Sequence, residues 1–166
     1  MMKLPDLALG SYEAAAVLGV HFTRPARMAG KGEIVCRVLH QPADQIKRDY
    51  LIYSLDDCQE NLAAYLRRMG ADGSTTHRPR AYMHERKDAL KWLAAAEPKI
   101  IYDDAIGSGD ACRILDIHPS LVHRMCREGK LVFRQPWNPR SPSQRFFILS
   151  RRSVERWAQT ARRRKG

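Results

Sequence analysis

Cys112, His118, His123 and Cys126 stand close together in the chain, and two thiols with two imidazoles are a donor set that suits tetrahedral zinc. No Cys-x-x-Cys pair accompanies them, and the repeat described below puts Ala15 and Ala29 at the positions of Cys112 and Cys126. Small buried groups are therefore expected there, with no metal and no cofactor. No Gly-x-Ser-x-Gly, Walker Gly-x-x-x-x-Gly-Lys or His-Glu-x-x-His occurs, and the carboxylates fall mostly at helix caps and faces, so no enzyme is expected. A different chemistry is offered by Ser120, His123, Arg124 and Arg127. Arginine can donate two parallel hydrogen bonds to guanine O6 and N7, and Ser or His can bond bases or phosphate. These four are the candidate base readers. The competing reading keeps Arg124 in an ion pair with Asp110, and its counterpart Arg27 with Glu13.

Positioning them requires a helix. Ser108 is an N-cap candidate for a helix through Leu115, with Ala111, Ile114 and Leu115 on one face; Asp116 and Ile117 make a turn. His118 and Pro119 lead into a second helix from about Ser120 to Arg127, with Leu121, Val122 and Met125 inward and Gly129 as its left-handed stop. Lys130 to Arg134 and Arg145 to Leu149 then read as β-runs flanking the proline-containing loop Gln135 to Gln144. In that loop region Arg134, Gln135, Trp137, Asn138, Arg140, Gln144 and Arg145 suit phosphate contact and minor-groove entry, though Trp137 is equally suited to packing its own loop down. Ser150 caps a last helix with Val154, Trp157 and Ala158 inward. Arg151 and Arg152 in its first turn oppose the macrodipole, which a DNA phosphate bound at that helix end would offset. The Arg162 to Lys165 run adds diffuse attraction.

The order helix, short turn, helix, Arg-Glu-Gly-Lys-Leu, hairpin, Ser-Arg-Arg-Ser-Val-Glu-Arg-Trp resembles the excisionase and MerR type of winged helix-turn-helix over about 50 residues of the second half. The resemblance implies binding to double-stranded DNA, with the second helix in the major groove and the hairpin tip, the wing, on the backbone or in the minor groove. The loop Gln135 to Gln144 is longer and richer in proline than a minimal wing.

The first half repeats the pattern. Leu9 to Arg37 aligns without gaps on Ile106 to Arg134 at an offset of 97, with ten of 29 positions identical, among them Ser11 with Ser108, His21 with His118, Arg27 with Arg124, Met28 with Met125 and Arg37 with Arg134. Tyr50 to Ser54 then repeats Phe146 to Ser150 at an offset of 96. Such self-similarity means two copies of one supersecondary unit. The expected fold is mainly α with small β-hairpin wings: two tandem winged helix-turn-helix modules, 1–70 and 106–166, joined by a linker, 71–105. In that linker a Gly, Ser, Thr and Pro-rich stretch precedes an amphipathic helix over Tyr82 to Ala96, which either connects the modules or offers a dimerisation surface. Ile100 to Tyr102 is a short apolar run that either pairs as a strand or packs under the second module.

In the first copy Thr23, Arg24, Arg27 and Lys31 are the candidate readers, with His40, Gln41, Gln45, Lys47 and Arg48 in its wing. Thr23 is a plausible cap and Pro25 fits the first helical turn. Charge separates the copies. Residues 1–70 carry nine Lys plus Arg against eight Asp plus Glu, residues 71–105 six against six, and residues 106–166 fourteen against four, a net of +10 within a chain total of +11. Phosphate neutralisation supplies most non-specific DNA affinity, so the second module is the stronger expected binder. The first either docks as well, in which case direct repeats about 10 bp or a small multiple apart are the natural target, or serves a protein partner.

At 166 residues, 44% apolar and 28% charged, the composition is that of a folded soluble protein. No apolar run reaches membrane-spanning length. Met-Met-Lys-Leu-Pro-Asp carries no signal-like core, which points to a reducing, nucleoid-associated cytoplasmic setting with four free thiols. The function expected is a sequence-specific DNA-binding transcriptional regulator of bacterial or mobile-element type, alone or as a homodimer or cooperative oligomer on DNA, with contact to RNA polymerase. The alternatives are an excisionase that bends DNA for an integrase, and a mobile-element interaction protein such as a packaging subunit or anti-activator.

Overall fold

The computed structural model describes residues 3–41, 50–68, 86–140 and 146–165. Among them one order of elements occurs twice. Strand β1 (Ala8–Leu9), helices α1 (Ser11–Leu18) and α2 (Arg24–Gly30), strands β2 (Cys36–Leu39) and β3 (Tyr50–Ser54) and helix α3 (Leu55–Arg68) form the first unit. Strand β4 (Ala105–Ile106), helices α5 (Ser108–Leu115) and α6 (Pro119–Arg127), strands β5 (Phe133–Arg134) and β6 (Ile148–Ser150) and helix α7 (Arg151–Lys165) form the second. Between them lie helix α4 (Arg86–Ala95) and a 3₁₀ turn, Tyr102–Asp104. The architecture is mainly helical with two small antiparallel sheets, ordered β1-β3-β2 and β4-β6-β5. The two-residue strands β1 and β4, which no run of β-formers announced, pair Leu9 with Tyr53 and Ile106 with Leu149.

Local chemistry sets the helix ends. Glu13 Oε1 accepts the Gly10 amide at 3.0 Å, and Asp110 Oδ2 accepts the Gly107 amide at 3.2 Å, so a carboxylate on the first turn holds each N-cap backbone. The cap of α5 is therefore Gly107 rather than Ser108, which is the first helical residue and buried. Asp116, in the left-handed region at φ 54°, ends α5 where Gly19 ends α1; Asp tolerates that conformation better than most side chains. At α7 the expected serine does cap, Ser150 Oγ accepting the Ser153 amide at 3.3 Å, and its counterpart Ser54 Oγ accepts the Asp57 amide at 3.2 Å at the start of α3.

Three apolar clusters hold the fold. The first unit packs Leu9, Ala14, Val17, Leu18, Met28, Ile34, Tyr53 and Leu55 together with Ala89 and Leu93, so α4 is built into that core. The second packs Ile106, Ala111, Val122, Met125, Cys126, Leu131, Phe147, Leu149 and Val154. A third, between them, joins Ala8, Leu39 and Ile52 of the first unit to Ile100, Ala105, Phe146 and Ile148. Ile101 bridges Leu7, just before β1, as an antiparallel pair, and Ile100 packs with Phe146 and Ile148, so the apolar run before β4 both pairs and packs against the second unit. The expected start of the linker helix at Tyr82, and the Gly, Ser, Thr and Pro-rich stretch before it, lie outside the described residues. Among the described residues no helix is long and apolar enough to cross a membrane.

Candidate nucleic-acid interface

Helix α6 is braced from both ends. Pro119 occupies its first turn, and His118 Nδ1 accepts the Ser120 amide at 3.2 Å while bonding Ser120 Oγ at 2.8 Å. Gly129, at φ 77°, turns the chain out of it, with the Lys130 amide reaching Met125 O at 2.9 Å. The buried face is Val122, His123, Met125 and Cys126, rotated from the expected one: Leu121 is 40% exposed. His123, expected to read bases, is 4% exposed, with Nε2 3.4 Å from Ser108 Oγ and its ring edge-on to Phe147. It is a core residue and does not face a ligand. On the outer side Ser120, Arg124 and Arg127 are exposed at i, i+4 and i+7, one stripe of the helix.

Arg124 makes the ion pair of the competing reading with a different partner. Its Nε donates to Glu128 Oε1 at 2.9 Å, while Asp110 pairs with Arg113. Glu128 also holds Lys130 Nζ at 2.9 Å, and Lys130 first, then Arg124, keep its carboxyl below the usual range. In α2 the cap chemistry repeats: His21 Nδ1 bonds Thr23 Oγ1 at 2.9 Å and accepts its amide at 3.4 Å. Thr23 sits at the N-cap position, but its side chain makes no capping bond. Arg24, Arg27 and Lys31 are exposed.

The wing residues are placed differently from the expectation. Arg134 is buried: Nη1 donates to Glu13 Oε2 at 2.7 Å, and Nη2 donates to Glu13 Oε1 at 2.9 Å and to Ala8 O at 2.6 Å. A guanidinium buried in the interior, with three of its donors on a buried carboxylate and a carbonyl, is out of reach of a phosphate, so Arg134 leaves the reading set. Trp137 stands edge-on to Tyr12 at 6.2 Å between ring centroids, and Arg140 Cζ lies 4.5 Å over the Phe22 ring. Asn138 Oδ1 accepts the Arg140 amide at 3.0 Å. The described part of this loop thus packs on the first unit rather than standing clear as a wing. Gln41 is likewise buried, beside the start of α5. Lys47, Arg48, Gln45, Arg145 and Gln144 lie outside the described residues.

Arg151 and Arg152 are exposed at the start of α7, but two of the backbone donors there, those of Arg152 and Ser153, are taken. Asp104 Oδ1 accepts the Arg152 amide at 3.0 Å, Ser150 Oγ accepts the Ser153 amide, and Ser150 Oγ donates to Asp104 Oδ2. A carboxylate of the chain itself offsets the macrodipole where a DNA phosphate was expected. Asp6 does the same for α3, accepting the Asp56 amide at 3.1 Å and Ser54 Oγ at 2.7 Å. The two arginines keep their side chains for longer-range contact; Arg151 Nη1 lies 3.8 Å from Glu155.

The thiol and imidazole cluster does not assemble. Burial pushes the Cys126 thiol up to about 12, His118 is an exposed cap, and among the described residues no three His, Cys, Asp or Glu side chains are grouped as a metal ion needs. Arg37, which drew no attention in the sequence beyond its match to Arg134, donates Nη1 to Ala105 O at 2.7 Å and Nη2 to Tyr102 O. Its identity in both copies was the available signal. Comparison of the chain with protein-family models, curated proteins and solved structures gives no match to any of them.

Proposed function

We propose that the chain is a non-enzymatic, double-stranded DNA-binding protein, built as two winged helix-turn-helix modules of the excisionase and MerR type, that acts as a transcriptional regulator of bacterial or mobile-element origin. The observation that carries this reading is the exposed Ser120, Arg124, Arg127 stripe on a short helix whose other face is locked in the core, within a segment of net charge +10. A helix so braced presents its polar side at fixed orientation, as insertion in a major groove requires. Arg124 holds Glu128 through Nε, which leaves its two Nη groups as a fork for guanine. Arg24, Arg27 and Lys31 give α2 the corresponding surface, and Arg151, Arg152 and Arg156, exposed on α7, add charge that can neutralise phosphate. DNA bending for an integrase would make the same surface that of an excisionase.

One observation favours a protein partner instead. A cleft of about 560 Å³ beside α6 is lined by Ile114, Ile117, Leu121, Met125 and Trp157 together with Asp116, Lys130 and Arg162, and a nucleic acid does not need its apolar part. The experiment that decides is selection from random duplex DNA at about 150 mM salt. An enriched motif supports the regulator; only salt-sensitive, sequence-blind binding rejects it in favour of the partner reading.

A further inference from the structure

The contacts between the two units are exchanged, each element of one meeting the counterpart of its own partner. Arg134 of the second hairpin donates to the carbonyl of Ala8; Arg37, its counterpart in the first hairpin, donates to the carbonyl of Ala105, the counterpart of Ala8. The end of the second hairpin presses on the start of α1, where a Cβ on Gly10 would stand 2.8 Å from Pro136 Cβ. The end of the first hairpin presses on the start of α5, where the Gly109 amide donates to His40 O at 2.9 Å and a Cβ on Gly109 would lie 2.8 Å from that oxygen. Tyr50 and Phe146, equivalent at offset 96, stack on each other at 4.2 Å, and Ile52 and Ile148 share the cluster around them.

Residue i of one copy touching j of the other, with j touching i in return and equivalent residues touching each other, is the signature of a two-fold axis. Copies related by translation along the chain would meet head to tail, and Tyr50 would not stack on its own equivalent. The buried Arg134 and Glu13 pair and the apolar cluster fix this arrangement within a single chain.

We infer that the chain is an intramolecular pseudo-dimer whose target is an imperfect inverted repeat, one half-site for α2 and one for α6, filled by a single chain. The inference rests on the DNA-binding reading above. Two heads related by a two-fold axis can engage one duplex in equivalent ways only if the half-sites are related by a two-fold axis as well, with centres one helical turn or a multiple apart. Direct repeats, the target expected from the tandem order in the sequence, need heads that face the same way along the DNA. The half-sites are expected to differ. Arg27 and Arg124 correspond, but Arg24 stands opposite Leu121 and Lys31 opposite Glu128, so the two heads share one arginine position and diverge around it.

The test uses the full chain bound to the motif it selects. A hydroxyl-radical source is tethered to a thiol at one of two equivalent exposed positions, Val35→Cys after α2 or Val132→Cys after α6, with Cys36 and Cys112 replaced by serine. The expected result is two cleavage patterns that are images of each other with the strands exchanged, at one chain per site by native mass spectrometry. Patterns that superimpose by sliding along the same strand, a site that needs two chains, or cleavage from one position only would each overturn the inference while leaving DNA binding intact. Failure of the unaltered chain to select any motif is a separate outcome, which rejects the DNA-binding reading and this inference with it.

Discussion

Arg134 and Glu13, 121 residues apart in the chain, close a two-bond ion pair in the interior, their side chains 7% and 0% exposed. Glu13 also holds the Gly10 amide, and Arg134 also holds Ala8 O, so one pair ties the second hairpin to both β1 and α1. The Arg134 guanidinium lies 5.8 Å from the Trp92 ring centroid of α4, which adds the linker helix to the same junction.

Removing one partner leaves a buried charge without its counterion, which costs about 3–5 kcal/mol. Arg134→Met and Glu13→Leu are each expected to lower stability by that order in urea denaturation. The double variant is expected to recover a large part of the loss, because no charge is then left behind. Single variants within about 1 kcal/mol of the unaltered chain would mean that the pair does not hold the units together.

The glycines at the junction give a second prediction. At Gly107 a Cβ would be driven into His40 O, a backbone atom that cannot swing aside, whereas at Gly30, at the end of α2, nothing lies within 4 Å. Gly107→Ala is therefore expected to lower the melting temperature and loosen the packing of the units, seen as faster protease cleavage. Gly30→Ala is expected to be neutral or to stabilise by up to about 1 kcal/mol through helix propensity. Equal behaviour of the two would remove the junction's steric basis.

The repeat was legible because it is written in one register: α1 and α5 span Ser11–Leu18 and Ser108–Leu115, the offset of 97 read from the alignment. The stop of α6 was legible because Gly129 serves left-handed backbone, whereas α5 ends in left-handed backbone on Asp116, which the sequence offers only as a turn residue. What buries each face was not. Periodicity marks His123 as lying beside Val122 and Cys126, but not that Phe147 and Ser108 close over it. Arg134 reads as a surface cation because nothing local predicts a carboxylate 121 residues away. The same limit applies to Asp104, whose carboxylate fills the helix terminus left open for a phosphate. Contacts between copies are long-range, and a local pattern carries no record of the axis that relates them.

Alkaline pH should destabilise the fold in a defined window. Burial pushes the Cys126 thiol from 9.0 up to about 12 and the Tyr53 phenol from 10.0 up to about 12, and it raises the Cys58 thiol as well. Each folded-state value lies above the unfolded one, so the contribution to stability is full below about pH 9 and is lost as the pH climbs toward 12. The urea midpoint is expected to hold between about pH 7 and 8.5 and to fall steadily above 9. Cys126→Ala is expected to flatten part of that slope whatever its baseline stability. With a thiol reagent at about pH 8, exposed Cys36 is expected to react first, and buried Cys58 and Cys126 only on unfolding. A midpoint independent of pH up to about 10.5 would contradict the burial of these groups.

Helix α6 and the start of α7 hold three kinds of residue, and substitution should separate them. Arg124→Ala or Arg127→Ala is expected to weaken binding to the selected motif by about 1–3 kcal/mol and to relax the preference at one base position, with the melting temperature little changed. Arg152→Ala, at a residue proposed to neutralise phosphate, is expected to weaken all sequences alike and to reduce the salt slope by about 1. His123→Ala removes a side chain packed against Phe147, so it is expected to lower the melting temperature while the folded protein keeps its motif. Glu128 supplies the opposite sign. Its carboxylate sits between Lys130 and Arg124 with its protonation pushed below the usual range, so it stays charged at neutral pH and opposes an approaching phosphate. Glu128→Gln is therefore expected to tighten binding to any duplex. Were Glu128→Gln to weaken binding instead, the carboxylate would be needed to aim Arg124 Nη1 and Nη2, and the ion pair would be part of the reading head.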